Sequence, residues 1–253
     1  MNKEFDTIYR RYFGEYEPLD AFLFHAEEQL NGVSLSDKKI LEVGCGSGVF
    51  SLYMALCGKA KQVVALDEAK GRGAETQAFT QLQTIVQNHN IPNLTVVKSS
   101  IYDYAVPENS FDVIVANSSL HHAIRPFGYL FKNEQAQQAA LSTFKLLHSL
   151  LNGNGRIVLR EMSRINFWRF LPYKWKMSHI DWSGHATLQE WLWIMKKTGS
   201  QNIHSDFLTP FFLRKWPSFI MRNQFANFFF SSSFYLYGTH HQQNRPPHNK
   251  STY

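Results

Sequence analysis

The segment Leu41-Glu42-Val43-Gly44-Cys45-Gly46-Ser47-Gly48 puts three glycines at alternate positions. Such spacing lets a backbone turn sharply and lets a ligand come close where a Cβ would otherwise stand. The turn feeds the apolar helical pattern Val49 to Leu56, and the first amides of a helix favour a carboxylate or phosphate. Asp67 follows the β-branched run Gln62-Val63-Val64-Ala65-Leu66, at a strand end where a carboxylate can accept two hydrogen bonds from a ribose diol. The dinucleotide fingerprint G-x-G-x-x-G needs a third glycine that is missing: counted from Gly44 its slot holds Val49, and from Gly46 it holds Ser51. Glu42, two residues before the first glycine, would repel a pyrophosphate and suits a ligand that carries a cation.

Two further groups have reactive side chains. Ala116-Asn117-Ser118-Ser119-Leu120-His121-His122 leaves an apolar run that reads as a strand. An imidazole titrates near neutrality, so His121 or His122 could serve as a general base; both could equally be packing residues that close the loop. Ser178-His179-Ile180-Asp181-Trp182-Ser183-Gly184-His185 offers two imidazoles and a carboxylate. Three ligands in one loop with no cysteine make a poor metal signature, and no metal is expected. Asp181 or His185 could instead touch a substrate, while His185 or Thr187 could start the next helix.

The elements that must position these groups are legible in the pattern. Apolar residues at helical spacing from Phe5 to Leu30, divided by Pro18, predict two helices. Strands are expected at 38–43, 62–66, 94–98, 111–116 and 156–161, with further candidates at 203–208 and 234–237, and helices at 49–56, 74–89, 134–151 and 187–197. Asn152-Gly153-Asn154-Gly155 is read as a cap on the helix before it. Phe111-Asp112-Val113-Ile114-Val115-Ala116 is nearly all apolar, as a strand buried on both faces should be. Repeated strand–helix alternation predicts an α/β fold: a doubly wound, mostly parallel seven-stranded sheet with helices on both faces and an aromatic-rich substrate cap. Such sheets take ligands outside the carboxyl ends of their strands, where the strand order reverses.

With 44% hydrophobic and 18% charged residues, the 253-residue chain is globular rather than disordered, collagen-like or coiled-coil. Two cysteines argue against a disulfide scaffold and suit a cytoplasmic location, and the opening residues lack a signal-peptide pattern. Charge is divided unevenly. Residues 1–155 hold 13 Lys and Arg against 16 Asp and Glu, whereas residues 156–253 hold 13 against 4 and contain every tryptophan.

Over residues 38–160 the glycine segment, Asp67 and the 111–122 segment resemble the successive motifs of the class I S-adenosylmethionine-dependent methyltransferases. The resemblance implies S-adenosylmethionine as cofactor and S-adenosylhomocysteine as product, without a metal. By it, Gly44, Cys45, Gly46 and Gly48 lie along the methionyl part, Glu42 and Asn117 hold its amino-acid end, and Asp67 takes the ribose hydroxyls. The family often places an acid after strand three to accept the adenine amino group; here Ser100 stands in that position, with Ile101 beside it to pack on the ring. Within this frame, residues 1–36 would be a helical lid, 37–239 the catalytic domain with cap insertions at about 162–186 and 207–232, and 240–253 a disordered tail. Tyr9, Tyr12, Tyr16, Trp175, Asp181 and His185 would contact the acceptor, expected to be a hydrophobic or aromatic small molecule methylated on O or N. Alternatives are an RNA methyltransferase, though no RNA-binding appendage is visible, a lipid methyltransferase touching a membrane through the 207–230 stretch, and a non-catalytic partner-binding protein. The oligomeric state is not legible.

Overall fold

The computed structural model describes residues 2–70, 76–124, 130–171 and 182–240. Its elements run α1 (Lys3–Tyr12), α2 (Leu19–Leu30), β1 (Lys39–Val43), α3 (Val49–Leu56), β2 (Gln62–Asp67), α4 (Thr76–Asn88), β3 (Leu94–Lys98), β4 (Phe111–Asn117), α5 (His121–Ile124), α6 (Glu134–Leu150), β5 (Leu151–Met162), α7 (Leu188–Lys197), β6 (Gln201–Phe207), α8 (Ser218–Met221), α9 (Gln224–Phe230) and β7 (Ser233–Thr239). The expected tail, and part of the first expected cap insertion, lie outside the described residues.

Seven strands form one sheet in the order β3-β2-β1-β4-β5-β7-β6. β1 to β5 pair in parallel, and β7 runs antiparallel between β5 and β6. The sheet is therefore mixed, with one antiparallel hairpin at its far side. Alternate residues of each central strand enter opposite cores. Ile40, Val63, Val113 and Val158 face α1 to α4, while Leu41, Val64, Ile114 and Ile157 face α6 and α7. Burying both faces explains the nearly unbroken apolar runs.

The amino-terminal helices belong to the first of these cores. Asn2 caps α1 through its side chain, Pro18 precedes α2, and Phe5, Tyr9, Phe22 and Tyr53 interlock at ring separations of 5.2–5.8 Å. Asn152 to Gly155 do not cap α6. That helix ends at Leu150 and the chain enters β5 directly, with Leu151 opposite Phe111 and Arg156 opposite Val113. The extra residues are absorbed as an irregularity in the ladder, a use of Asn and Gly that reads like a turn in sequence.

Two consequences of the topology set the site. Strand order reverses at β1, which has β2 on one side and β4 on the other. β5 and β6 are both antiparallel to β7, so their carboxyl ends share the edge at which β1, β2 and β4 end. The long connections after β5 and β6 both leave from that edge.

Candidate functional site

The glycine turn follows β1 with φ of +71° at Gly44, +54° at Gly46 and +75° at Gly48, all in the left-handed region that favours glycine. A Cβ on Gly44 would overlap the Ser119 side chain, and one on Gly48 would overlap Leu82 of α4. These two glycines thus let the chain pack on itself. Gly46 acts through its backbone instead. Its amide donates to Asp67 Oδ2 at 2.8 Å, while Ala69 donates to Oδ1 at 2.7 Å. The turn is thereby locked to the end of β2, with Asp67 buried between them.

Two chambers meet at this turn. The larger, about 810 Å³, is lined by Gly44, Gly46, Leu66, Asp67, Ser100, Ile101, Asn117 and His122 among others. The smaller, about 290 Å³, is lined by Glu42, Gln29, His25, Phe22, Cys45 and Arg160, and it shares Gly44, Gly46 and Asn117 with the first. An ionised carboxylate accepts about four hydrogen bonds, and amides occupy two on Asp67, so acceptor capacity remains for a diol. Apolar Leu66 and Ile101 beside it suit a flat base. Acid and guanidinium together in the second chamber match the two ends of an α-amino acid. The residues present fit the nucleoside-amino acid cofactor that the motifs imply.

Glu42 is strongly perturbed. Burial pushes its pKa up to about 8, against the opposing effect of hydrogen bonds from Ser51 and Asn117. Ser51 Oγ donates to Glu42 Oε2, Asn117 Nδ2 donates to Oε1 at 3.3 Å, and Gln29 Nε2 donates to Asn117 Oδ1. This chain ties α3, β1, β4 and α2 together around one acid. Cys45 lies beside it with its thiol pKa also raised, by burial first and then by Glu42 and Asp67, so it contributes bulk rather than a thiolate. Gly48 lines neither chamber; it starts α3.

After β3, Ser100 Oγ donates to Asp103 Oδ2 at 2.6 Å and accepts from the Asp103 amide at 3.1 Å. The serine lines the large chamber, whereas Asp103 is exposed and does not. Tyr102 reaches across the same chamber to Thr143 of α6, with 2.6 Å between their hydroxyl oxygens.

The two adjacent histidines separate. His122 lines the large chamber. His121 is buried, with Nδ1 3.0 Å from Glu161 Oε2, and Glu161 also accepts the amides of Leu120 and His121. The rings of His121 and His185 lie 4.3 Å apart. His185 is buried beside Trp182, and its carbonyl accepts from Arg164, so it packs the loop and does not line either chamber. Ligand atoms of His121, Glu161 and His185 come within 4.8 Å of one another. Glu161 of β5 thus accepts two amides and faces an imidazole at the start of α5, and the His185 ring packs against His121.

The aromatic contacts expected from the amino terminus fall elsewhere. Tyr9 is 2% exposed in the core and its hydroxyl donates to the Glu17 carbonyl at 3.0 Å, which removes it from any substrate surface. Tyr12 and Tyr16 line a shallow groove against α4, apart from both chambers. Trp175 and Asp181 lie outside the described residues. Sequence reading missed Gln29, Arg160, Glu161 and Tyr102. For Arg160 and Glu161 there was a signal, charged residues at the carboxyl end of an otherwise apolar strand; for Gln29 it was a polar residue on the apolar face of α2.

The sequence model of the methyltransferase-domain family matches residues 34–199. Among curated proteins, the chain is 34% identical over 93 residues to protein arginine N-methyltransferase 2 of Mus musculus, covering 37% of this chain and 19% of that protein. Its human counterpart is 32% identical over 116 residues, covering 42% of this chain and 25% of the relative. The chain therefore spans a fifth to a quarter of the length of these relatives. Among solved structures, a SAM dependent methyltransferase from Aquifex aeolicus aligns with a TM-score of 0.57 at 16% identity, over 88% of this chain and 93% of that one. An S-adenosylmethionine dependent methyltransferase from Mesorhizobium loti aligns at 0.55 and 16%, over 85% and 97%.

Proposed function

The chain belongs to the class I S-adenosylmethionine-dependent methyltransferases, and from that premise we propose that it methylates an oxygen or nitrogen atom of a hydrophobic or aromatic small molecule. When bound, the cofactor supplies a methyl group on a positively charged sulfur, which needs little further activation. The chain's own residues then have to orient the acceptor, remove its proton and keep water out.

The observation that carries the reading is the paired chamber at the β1 turn, with Asp67 on one side and Glu42 with Arg160 on the other. We assign Asp67 to the ribose hydroxyls, Glu42 to the ammonium end and Arg160 to the carboxylate end of the cofactor. Gly44, Gly46 and Asn117 border both chambers, and Ser100 and Ile101 border the larger one. His122, which faces the larger chamber, is assigned as the general base; His121 holds the loop through Glu161. An apolar acceptor is supported by the wall of the larger chamber, where Val43, Leu66, Ile101, Leu120 and Ala139 stand beside a few polar groups. Mostly apolar walls with a few polar groups are usual for small-molecule sites.

Titration calorimetry with S-adenosylhomocysteine tests the cofactor half. A panel of aromatic and aliphatic hydroxyl and amine compounds, read by the mass gain of one methylene, tests the acceptor half. Turnover only on arginine-containing peptides would replace the small-molecule acceptor with a protein one.

A further inference from the structure

We infer that the aromatic, basic face formed by residues 165–170 and 211–230 docks on an anionic lipid bilayer. The inference stands apart from the transfer reaction, because it concerns where the protein resides and not what it methylates.

The face departs from an ordinary surface in two independent ways. Phe170, Phe212, Trp216, Phe219 and Phe225 project into solvent, with exposures of 69%, 72%, 56%, 79% and 73%. A concentration of large apolar side chains like this marks an interaction site and not scattered surface residues. The charge is equally one-sided. Residues 162–180 and 207–253 contain no Asp or Glu at all. Arg164 and Arg222 are engaged by Glu190, Glu28 and Asp206, but no acid within the two segments balances Arg169, Arg214 and Lys215. Two of these cations sit on rings of the same face: the Arg169 guanidinium lies 5.4 Å from the Phe170 ring centre, and that of Arg214 lies 3.7 Å from that of Phe211. Aromatics that enter the headgroup boundary beside basic side chains that meet lipid phosphates are the combination that binds an interface.

Chemistry selects this occupant over others. A second copy would bring Arg169, Arg214 and Lys215 of each face toward those of the other, with no acid from either segment between them, and their like charges would repel. Single-stranded nucleic acid would use the rings for base stacking, but Ile165 and Ile220, exposed among them, offer no stacking surface. Both suit the acyl boundary. The face also lies where the β5 and β6 connections leave the sheet, on the edge that carries the chambers. No helix among the described residues is long and apolar enough to cross a membrane, so the contact would be peripheral.

Vesicle flotation with the full chain tests this, using phosphatidylcholine alone and phosphatidylcholine mixed with phosphatidylglycerol. The protein should float with the mixed vesicles, little with the neutral ones, and less as salt rises. The triple change Phe212→Ser, Trp216→Ser and Phe219→Ser should abolish flotation, and Arg214→Gln with Lys215→Gln should remove most of the anionic preference. Folding is checked by circular dichroism, and should the triple variant fail that check, the charge pair alone decides. The idea is overturned if the wild type stays at the bottom of the gradient with mixed vesicles, or if the charge pair floats like wild type. It is equally overturned if a concentration-dependent dimer uses the face, or if RNA is retained in preference to vesicles. Failure of S-adenosylhomocysteine to bind would instead sink the functional reading and leave the docking result untouched.

Discussion

Glu42 is buried, and its carboxyl is shifted from 4.5 to about 8 chiefly by that burial. A carboxyl whose folded value lies above its unfolded one contributes stability in full below pH 4.5 and loses it as pH rises through about 8. Glu42→Gln should therefore flatten the fall in urea midpoint across that window relative to wild type. Near pH 7 the acid is mostly protonated, and pairing it with an ammonium requires ionisation. Binding of S-adenosylhomocysteine should then release close to one proton, seen as a binding enthalpy that changes with the ionisation heat of the buffer; a buffer-independent enthalpy would remove Glu42 from the ammonium. The two histidines should part company too. His122→Ala should lower kcat by roughly two orders of magnitude, with cofactor affinity kept. His121→Ala should cost about 1–3 kcal/mol of stability by stranding buried Glu161. The places of Glu42, Asp67, Gly44 and Gly46 beside the chambers were legible because each sits at or just after the carboxyl end of a strand pattern, whereas Gly48, of the same motif, lines neither chamber. Tyr9 was not, since a tyrosine at helical spacing looks the same whether its ring faces solvent or, as here, Phe5 and Phe22.

The elements around the chambers are held by few fasteners. Thr187 and Glu190 form a capping box on α7, and Arg164 bridges to Glu190 at 2.6 Å from the loop after β5. Thr187→Ala should cost about 1 kcal/mol in chemical denaturation. Arg222, on the chain just after α8, binds Glu28 of α2 at 2.8 Å and Asp206 of β6 at 3.1 Å, and thus joins the aromatic segment to the amino-terminal helices. Arg222→Met should destabilise by about 1–3 kcal/mol because Glu28 keeps little solvent once its partner is gone, and proteolysis should then start within residues 207–230. The helices on either side of Pro18, α3, and the start of α7 follow period and caps closely enough to be read from residues. Asn152 to Gly155 misled because Asn and Gly mark a turn and a ladder irregularity alike. The fastener at Arg222 was invisible, as it joins residues 28, 206 and 222, which only the folded chain brings together.

The layered α/β architecture was legible from strand–helix alternation, since unbroken apolar strands admit little besides a sheet covered on both faces. The position of β7 was not, because nothing local tells the last strand to enter between β5 and β6 instead of adding to an edge. That insertion has a consequence for biosynthesis. Until residues 233–239 emerge from the ribosome, β5 can pair with β4 on one side but with nothing on the other, and β6 has no partner. Two ribbons with open hydrogen-bonding edges wait for the piece that will lie between them. A released chain truncated after residue 232 should bind a holdase chaperone tightly and precipitate without it, whereas one that includes Thr239 should fold in a single cooperative step. Closure of this sheet thus waits on the insertion of β7, and the interval before it is when the open edges are most exposed to misassembly.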